Sequence, residues 1–238
     1  MNSNAQVSSP VSAARHVPYL AEDASLVTRL RTAVRALMVL EKHPDDPVAA
    51  ALLNASLDGE IFRRNADALA TTEFGRTLLA ERPTLQKGRV DLEALGRLPE
   101  GTVGRAFAEY FAKNKIEPFS SPYEIRNDTD YLIKWFRETH DLHHILTAYS
   151  TDPVGEMELQ AFALGNLGFR VSVLILVFAA LLRPHDLPPM QKYWDRLKVA
   201  YRRGKASDNL FHVRYEQHFE STVESLRAKL RIPALVAA

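Results

Sequence analysis

The chain has 238 residues, 46% of them hydrophobic and 25% charged, the balance of an ordinary globular protein long enough to bury a large core. Its 30 Lys and Arg nearly cancel 29 Asp and Glu, so the net charge of +1 creates no global field for a nucleic acid or an acidic partner. The absence of cysteine excludes disulfides, thiolate zinc sites and a cysteine nucleophile, and leaves only histidine and oxygen as ligands for any metal.

Residues 1–22 are rich in Ser, Ala and Asn, carry two prolines and lack the apolar core of a secretory signal. They read as a disordered N-terminal tail, with Arg15 too isolated for a mitochondrial transit peptide. Leu26, Leu30, Val34, Leu37 and Leu40 then recur at helical spacing. "HPDDPVAALLNA" offers an aspartate cap before Pro47 at a first helical position, and "TTEFGRTLLAERP" predicts a short helix stopped near Pro83. In "EGTVGRAFAEYFAKN", Thr102 is the expected cap and Val103, Ala106, Phe107 and Tyr110 the apolar face. Asn127 caps a longer periodic stretch that runs to about Tyr149, and Asp152–Pro153 starts the next helix. "VSVLILVFAALL", 171–182, is too short to span a bilayer core of ~30 Å. It reads as a buried helix, with contact to lipid as the alternative. Proline clusters at 117–122 and 184–189 predict loops, and Ser221 with Glu224 has capping-box spacing. No period-two strand or hairpin turn interrupts this pattern, so the fold class is all-α: a single multi-helix domain over 23–238.

The chemistry concentrates in "HDLHHILTAYSTDPVGE", 140–156. With His140 taken as the origin of a helix, His144 falls at about 40°, Asp141 at about 100° and His143 at about 300°. His140, Asp141 and His144 therefore share one arc, with His143 off its centre; this is the geometry that lets one helix present two imidazoles to a metal. Arg137 stands one turn earlier on the same side, placed to hold a carboxylate. Glu156 lies in the first turn of the following helix, and a short turn would fold it back onto the His140–His144 face. Two histidines with one or two carboxylates suit zinc, iron(II), manganese or magnesium. The plain alternative is a surface histidine pair, with Glu156 favoured only by the helix dipole.

The pattern H-D-x-x-H-x(11)-E formed by His140, Asp141, His144 and Glu156 resembles the signature of the coenzyme Q (ubiquinone) biosynthesis protein family Coq4. "RETHDLHHILTAYSTDPVGEMELQAF" is similar to that family's central block, "GTVGRAFAEYF" to an upstream block, and the stretch from Ala200 to Ile232, with Glu216, to its C-terminal block. His143 stands where the family often has tryptophan or leucine, and Ala148 where glycine is usual. The resemblance implies an all-α fold, a divalent metal (usually zinc) and a part in quinone synthesis. It further implies membrane surfaces, other pathway enzymes and a polyprenylated aromatic quinone precursor as partners, with a homodimer expected and no nucleic acid. The expected location is peripheral, on the cytoplasmic face of a bacterial inner membrane or on the mitochondrial inner membrane.

The implied reaction replaces the carboxylate at ring carbon C1 of a polyprenylated 4-hydroxybenzoate-type ring with hydroxyl. His140, His144 and Glu156 are then the metal ligands, Asp141 a further ligand or a base, and Arg137 the residue that orients the carboxylate. A non-catalytic lipid-binding scaffold is the alternative. A His-Asp phosphohydrolase is disfavoured, because further His and Asp ligands are not evident.

Other features read as structure. "HPDDP" and His185–Asp186 are loop polarity, and "YRRGK", 201–205, a solvated helix end. Gly155, Gly165 and Gly168 would allow close approach of a chain or a neighbouring helix. If an isoprenoid tail lies along the 171–182 wall, further down the helix that carries Glu156, Val173, Leu176, Ala179 and Ala180 are its expected lining.

Overall fold

The structure, a computed structural model, describes residues 20, 23–43, 46–120, 124–182 and 184–235. The expected tail lies outside the described residues apart from Leu20 and so do Pro44 and Asp45 of the "HPDDP" stretch. Among the described residues there is no strand, and the helices run α1 (Leu26–Lys42), α2 (Pro47–Ala70), α3 (Glu73–Glu81), α4 (Leu92–Gly96), α5 (Val103–Asn114), α6 (Asp128–Thr147), α7 (Pro153–Leu167), α8 (Arg170–Leu182), α9 (Met190–Ala206) and α10 (Val223–Lys229). The fold is all-α, as the periodicity predicts.

Local chemistry sets most helix starts. The Asp46 carboxylate accepts from the Val48 and Ala49 N–H groups at 2.9 Å, with Pro47 at the first position, where its missing N–H costs nothing. Asn127 does the same for α6 through the Asp130 N–H at 2.9 Å. One cap differs from expectation: Thr222, not Ser221, caps α10, its hydroxyl accepting from the Ser225 N–H at 3.1 Å. Ser221 serves α5 instead, its carbonyl accepting from the Val103 N–H at 2.8 Å.

α6 is the axis of the core. Tyr131, Leu132, Ile133, Trp135, Leu142 and Leu146 on it are all buried, so it is enclosed on most sides. Phe136 of α6 meets Phe62 of α2, Phe169 of the α7–α8 link and Phe211 beyond α9, with ring centroids 4.8–6.3 Å apart. Such edge and tilted contacts favour aromatic rings beyond the area they bury. The charges that α6 takes inside are matched. Lys134 pairs with Glu138, Lys134 Nζ donates to the Thr84 hydroxyl at 2.8 Å, and the Leu85 N–H donates to Glu138 at 3.0 Å.

Two expectations about the apolar run are corrected. The helix carrying Glu156 does not continue into it: α7 ends at Gly168, whose φ of 78° is the left-handed cap that glycine adopts at least cost. Nor is α8 a core helix, since only Val171, Ser172 and Leu176 on it are buried. Val173, Val177 and Leu181, one turn apart each, are 48%, 43% and 72% exposed. Leu176 is buried, and Ala179 and Ala180 are half-buried. No described helix is long and apolar enough to cross a membrane.

The start of α8 is capped from a distance. Asp58, buried in α2, accepts from the Arg170 N–H at 2.7 Å and the Val171 N–H at 3.1 Å. Burial outweighs these hydrogen bonds and pushes its carboxyl from 3.8 up to about 6. The folded chain therefore holds this proton more tightly than the unfolded chain does. The contribution of Asp58 to stability is greatest below its unfolded value and falls as pH rises through about 6, by roughly 3 kcal/mol in all. Asp58→Asn should flatten the stability–pH curve between about 4 and 6. Urea unfolding at several pH values checks this, and an unchanged curve would show that Asp58 does not titrate there.

Candidate metal centre

α6 and α7 bring the opening motif together. α6 ends at Ala148, which adopts φ 60°, the left-handed region where a residue with a Cβ pays about 1–2 kcal/mol. The chain then reverses. Asp152 caps α7, accepting from the Val154 and Gly155 N–H groups at 2.9 Å, and Pro153 fills the first position. The turn is tight enough to require a glycine, because a Cβ on Gly155 would lie 2.1 Å from the Ser150 carbonyl oxygen. This sets Glu156 in the first turn of α7, facing back to α6. Beyond that turn, α7 packs mainly along α9.

His144 Nε2 lies 3.1 Å from Glu156 Oε1, His140 Nε2 lies 3.6 Å from Glu156 Oε2, and the two Nε2 atoms are 3.3 Å apart. Donor atoms around a tetrahedral zinc with bonds of about 2.0–2.1 Å stand roughly 3.3–3.5 Å apart. The two Nε2 atoms stand at that spacing and each lies close to it from a different Glu156 oxygen, and a carboxylate with two imidazoles is a suitable donor set. His144 Nδ1 faces the Tyr149 carbonyl oxygen at 3.1 Å. Its proton therefore belongs on Nδ1, and the lone pair of Nε2 faces the triangle. The His144 side chain is closed off, whereas those of His140 and Glu156 are 17% and 34% exposed, so the triangle is reached from one side.

The electrostatics favour a cation there. Burial alone would raise the Glu156 carboxyl, but hydrogen bonds and charge from His140 and His144 hold it well below the carboxylate range. Burial would lower His144, yet Glu156, the Tyr149 carbonyl and Asp141 together raise it. A divalent metal would supply positive charge in place of a proton, and twice as much of it, with donor directions already set.

The other residues singled out on α6 lie outside this set, and His143 is off the arc as its angular position predicts. Asp141 stands outside the His140–His144–Glu156 set and faces Tyr110 of α5. Arg137 is not paired with Asp141; its guanidinium lies over the Phe119 ring, 5.1 Å from the centroid, and its Nε is buried without a hydrogen-bond partner. His143 points into the core, its Nε2 3.1 Å from the Tyr215 hydroxyl, and burial pushes its imidazole down to about 3.

Two residues here were not expected from the sequence. Tyr110, read as part of an apolar face, stacks on His144 at 6.0 Å; burial and the charges of Asp141 and Glu156 hold its phenol well above the ordinary range. Arg203 of the "YRRGK" stretch is buried rather than solvated. It donates to the Thr147 carbonyl at 3.0 Å and lies 4.8 Å over the Tyr149 ring. Both contacts join distant segments, and spacing carries no signal for them.

A family model described as coenzyme Q (ubiquinone) biosynthesis protein Coq4 matches residues 16–235. The ubiquinone biosynthesis protein coq4, mitochondrial, of Talaromyces stipitatus is 32% identical over 188 residues, 78% of this chain and 65% of that protein. Its counterpart of the same name in Paracoccidioides brasiliensis is 29% identical over 187 residues, 77% and 65% of the two chains. This chain thus spans just under two thirds of the length of these curated relatives. A crystal structure of a Nostoc punctiforme protein, described as a candidate ubiquinone biosynthesis protein, superimposes with a TM-score of 0.68 at 23% identity. It covers 87% of this chain and 97% of that one, and shows a shared fold.

Proposed function

The chain belongs to the Coq4 family of coenzyme Q (ubiquinone) biosynthesis proteins, and we propose that it acts at ring carbon C1 of a polyprenylated 4-hydroxybenzoate-type intermediate, replacing carboxylate with hydroxyl. The observation that carries this reading is the triangle of His140, His144 and Glu156, reached from one side. Three protein donors leave a coordination position for a ligand, as in catalytic rather than structural sites. Bound there, a divalent metal (zinc, iron, manganese or magnesium) would polarise the ring carboxylate as a Lewis acid.

The protein groups have distinct tasks in this reading. His140, His144 and Glu156 hold the metal. Arg137, with its buried and unpaired Nε one turn before His140, orients the departing carboxylate. Asp141 accepts a proton, with the neutral Tyr110 phenol beside it as its donor or relay. Exchange of carboxylate for hydroxyl with loss of carbon dioxide is a two-electron oxidation, so dioxygen or another oxidant must take the electrons; zinc cannot.

The tail belongs on α8. Val173 and its exposed neighbours, with Ala179 and Ala180, offer an uncharged surface for an isoprenoid, Leu176 forming the floor beneath. The same surface suits a peripheral position on a membrane, among the other enzymes of the pathway. It also favours the second reading, a lipid-binding scaffold whose metal is structural. Glu156→Gln separates the two, since it keeps the shape but removes the charge. In an enzyme this variant stays folded yet fails to complement a quinone-deficient strain and releases no carbon dioxide from a ring-carboxyl-labelled precursor. Full complementation would favour the scaffold.

A further inference from the structure

We propose that Arg203 is a positioning residue for the metal-facing imidazole of His144, acting through the Tyr149 peptide. The proposal rests on the reading of His140, His144 and Glu156 as a metal centre. Arg203 is 6% exposed, deep between α9 and the end of α6. Its Nη2 donates to the Thr147 carbonyl at 3.0 Å and its Nε and Nη2 donate to the Pro233 carbonyl at 3.0 and 2.8 Å. The guanidinium then covers the Tyr149 ring at 4.8 Å. One side chain thus holds the residue before Ala148 and the residue after it, fixing both sides of the left-handed turn.

The fixed object is the Tyr149 carbonyl, which accepts from His144 Nδ1 at 3.1 Å. That hydrogen bond decides which imidazole nitrogen carries the proton and which way the ring is turned. If the Tyr149 peptide rotates, His144 loses the partner that keeps its Nε2 lone pair on Glu156 and His140. The left-handed position itself is held by Ala148 rather than a glycine, so the outside clamp matters more here than where glycine occupies that position.

A second arginine supplies the control. Arg227 of α10 donates to the Ile145 and Leu146 carbonyls, both at 2.7 Å. It binds the same end of α6 but stops short of the turn. A purely structural loss at this helix end should therefore be common to both arginines, and an effect on His144 should not.

The test uses cobalt(II) as the probe, on the full chain. Wild type is expected to bind it and to give the visible absorption of a low-symmetry N/O site. Arg203→Met should weaken cobalt affinity about 10- to 100-fold and alter that spectrum, with Arg203→Lys intermediate. Arg227→Met should lower the melting temperature but keep wild-type affinity and spectrum. Cobalt binding by Arg203→Met that matches wild type, with only a lower melting temperature, overturns the proposal and leaves the metal reading intact. A wild-type chain that takes no cobalt overturns both. Should Arg203→Met fail to fold, nitrogen-15 NMR of metal-free Arg203→Lys against wild type decides: a neutral His144 shifted away from the wild-type Nδ1-protonated tautomer supports the proposal, and an unchanged tautomer refutes it.

Discussion

His140→Ala and His144→Ala should each reduce bound divalent metal from stoichiometric to background, whereas His143→Ala should keep it. The three variants delete the same group within five residues of one helix, so only direction distinguishes them. His140 and His144 present Nε2 atoms 3.3 Å apart on the Glu156 side. Loss of either leaves one imidazole and one carboxylate, too few strong donors to hold a metal against water. His143 is turned into the core, with its ring 5.7 Å from Phe136 and its Nε2 on the Tyr215 hydroxyl. Its deletion leaves a cavity and a weakened tyrosine hydrogen bond, at a cost of about 2–3 kcal/mol in stability. Metal analysis by mass spectrometry, with a denaturation curve for each variant, checks the pattern. Equal metal loss in all three would show that the two faces of α6 are not what the geometry makes them.

That distinction was legible in the sequence because it depends on a single helix. Angular position needs only the residue count, and caps such as Asn127, Asp46 and Asp152 announce themselves within four residues of the groups they bind. Glu156 was legible for a similar reason: Asp152–Pro153 places a helix start so close to Thr147 that the next carboxylate must come back over α6. Contacts across long loops were not. Asp58 caps a helix more than a hundred residues away, and Arg203 reaches Thr147 from another element. Nothing in either neighbourhood marks its partner. α8 failed for a different reason. Its hydropathy reports what its side chains prefer, not whether an element is there to cover them, and Val173, Val177 and Leu181 remain at the surface. The break before it does carry a signal, Gly168: in sequence it suggests close approach, and in the structure it is the left-handed cap of α7.

Gly204→Ala should be among the most destabilising small changes in the chain, although alanine is the better helix former. A Cβ at Gly204 would lie 2.1 Å from the Phe162 carbonyl oxygen on α7, and one at Gly165 would lie 2.2 Å from the Tyr201 carbonyl oxygen on α9. Each glycine faces the backbone of the other helix, so no flexible side chain can give way and the whole interface must move. Asn166 resists that movement, its amide donating to the Gly204 and Asp208 carbonyls at 3.1 and 2.9 Å while its oxygen accepts from the Leu210 N–H at 3.1 Å. Propensity favours alanine by about 1 kcal/mol, but overpacking a backbone contact costs about 3 kcal/mol or more. The net loss of at least ~2 kcal/mol corresponds to a fall of roughly 4–8 °C in melting temperature for a chain of this size. Gly59→Ala is the matched control: it lies within α2, and a Cβ there would meet nothing within 4 Å. The same substitution at Gly59 should raise the melting temperature, by about 0.5–1 kcal/mol of added stability. Opposite signs for one chemical change would locate the close approach between α7 and α9. A melting temperature raised in both variants would mean that the two helices do not touch backbone to backbone. Displacing α9 should also loosen metal binding, since Arg203 is the neighbour of Gly204 and Glu156 rides on α7.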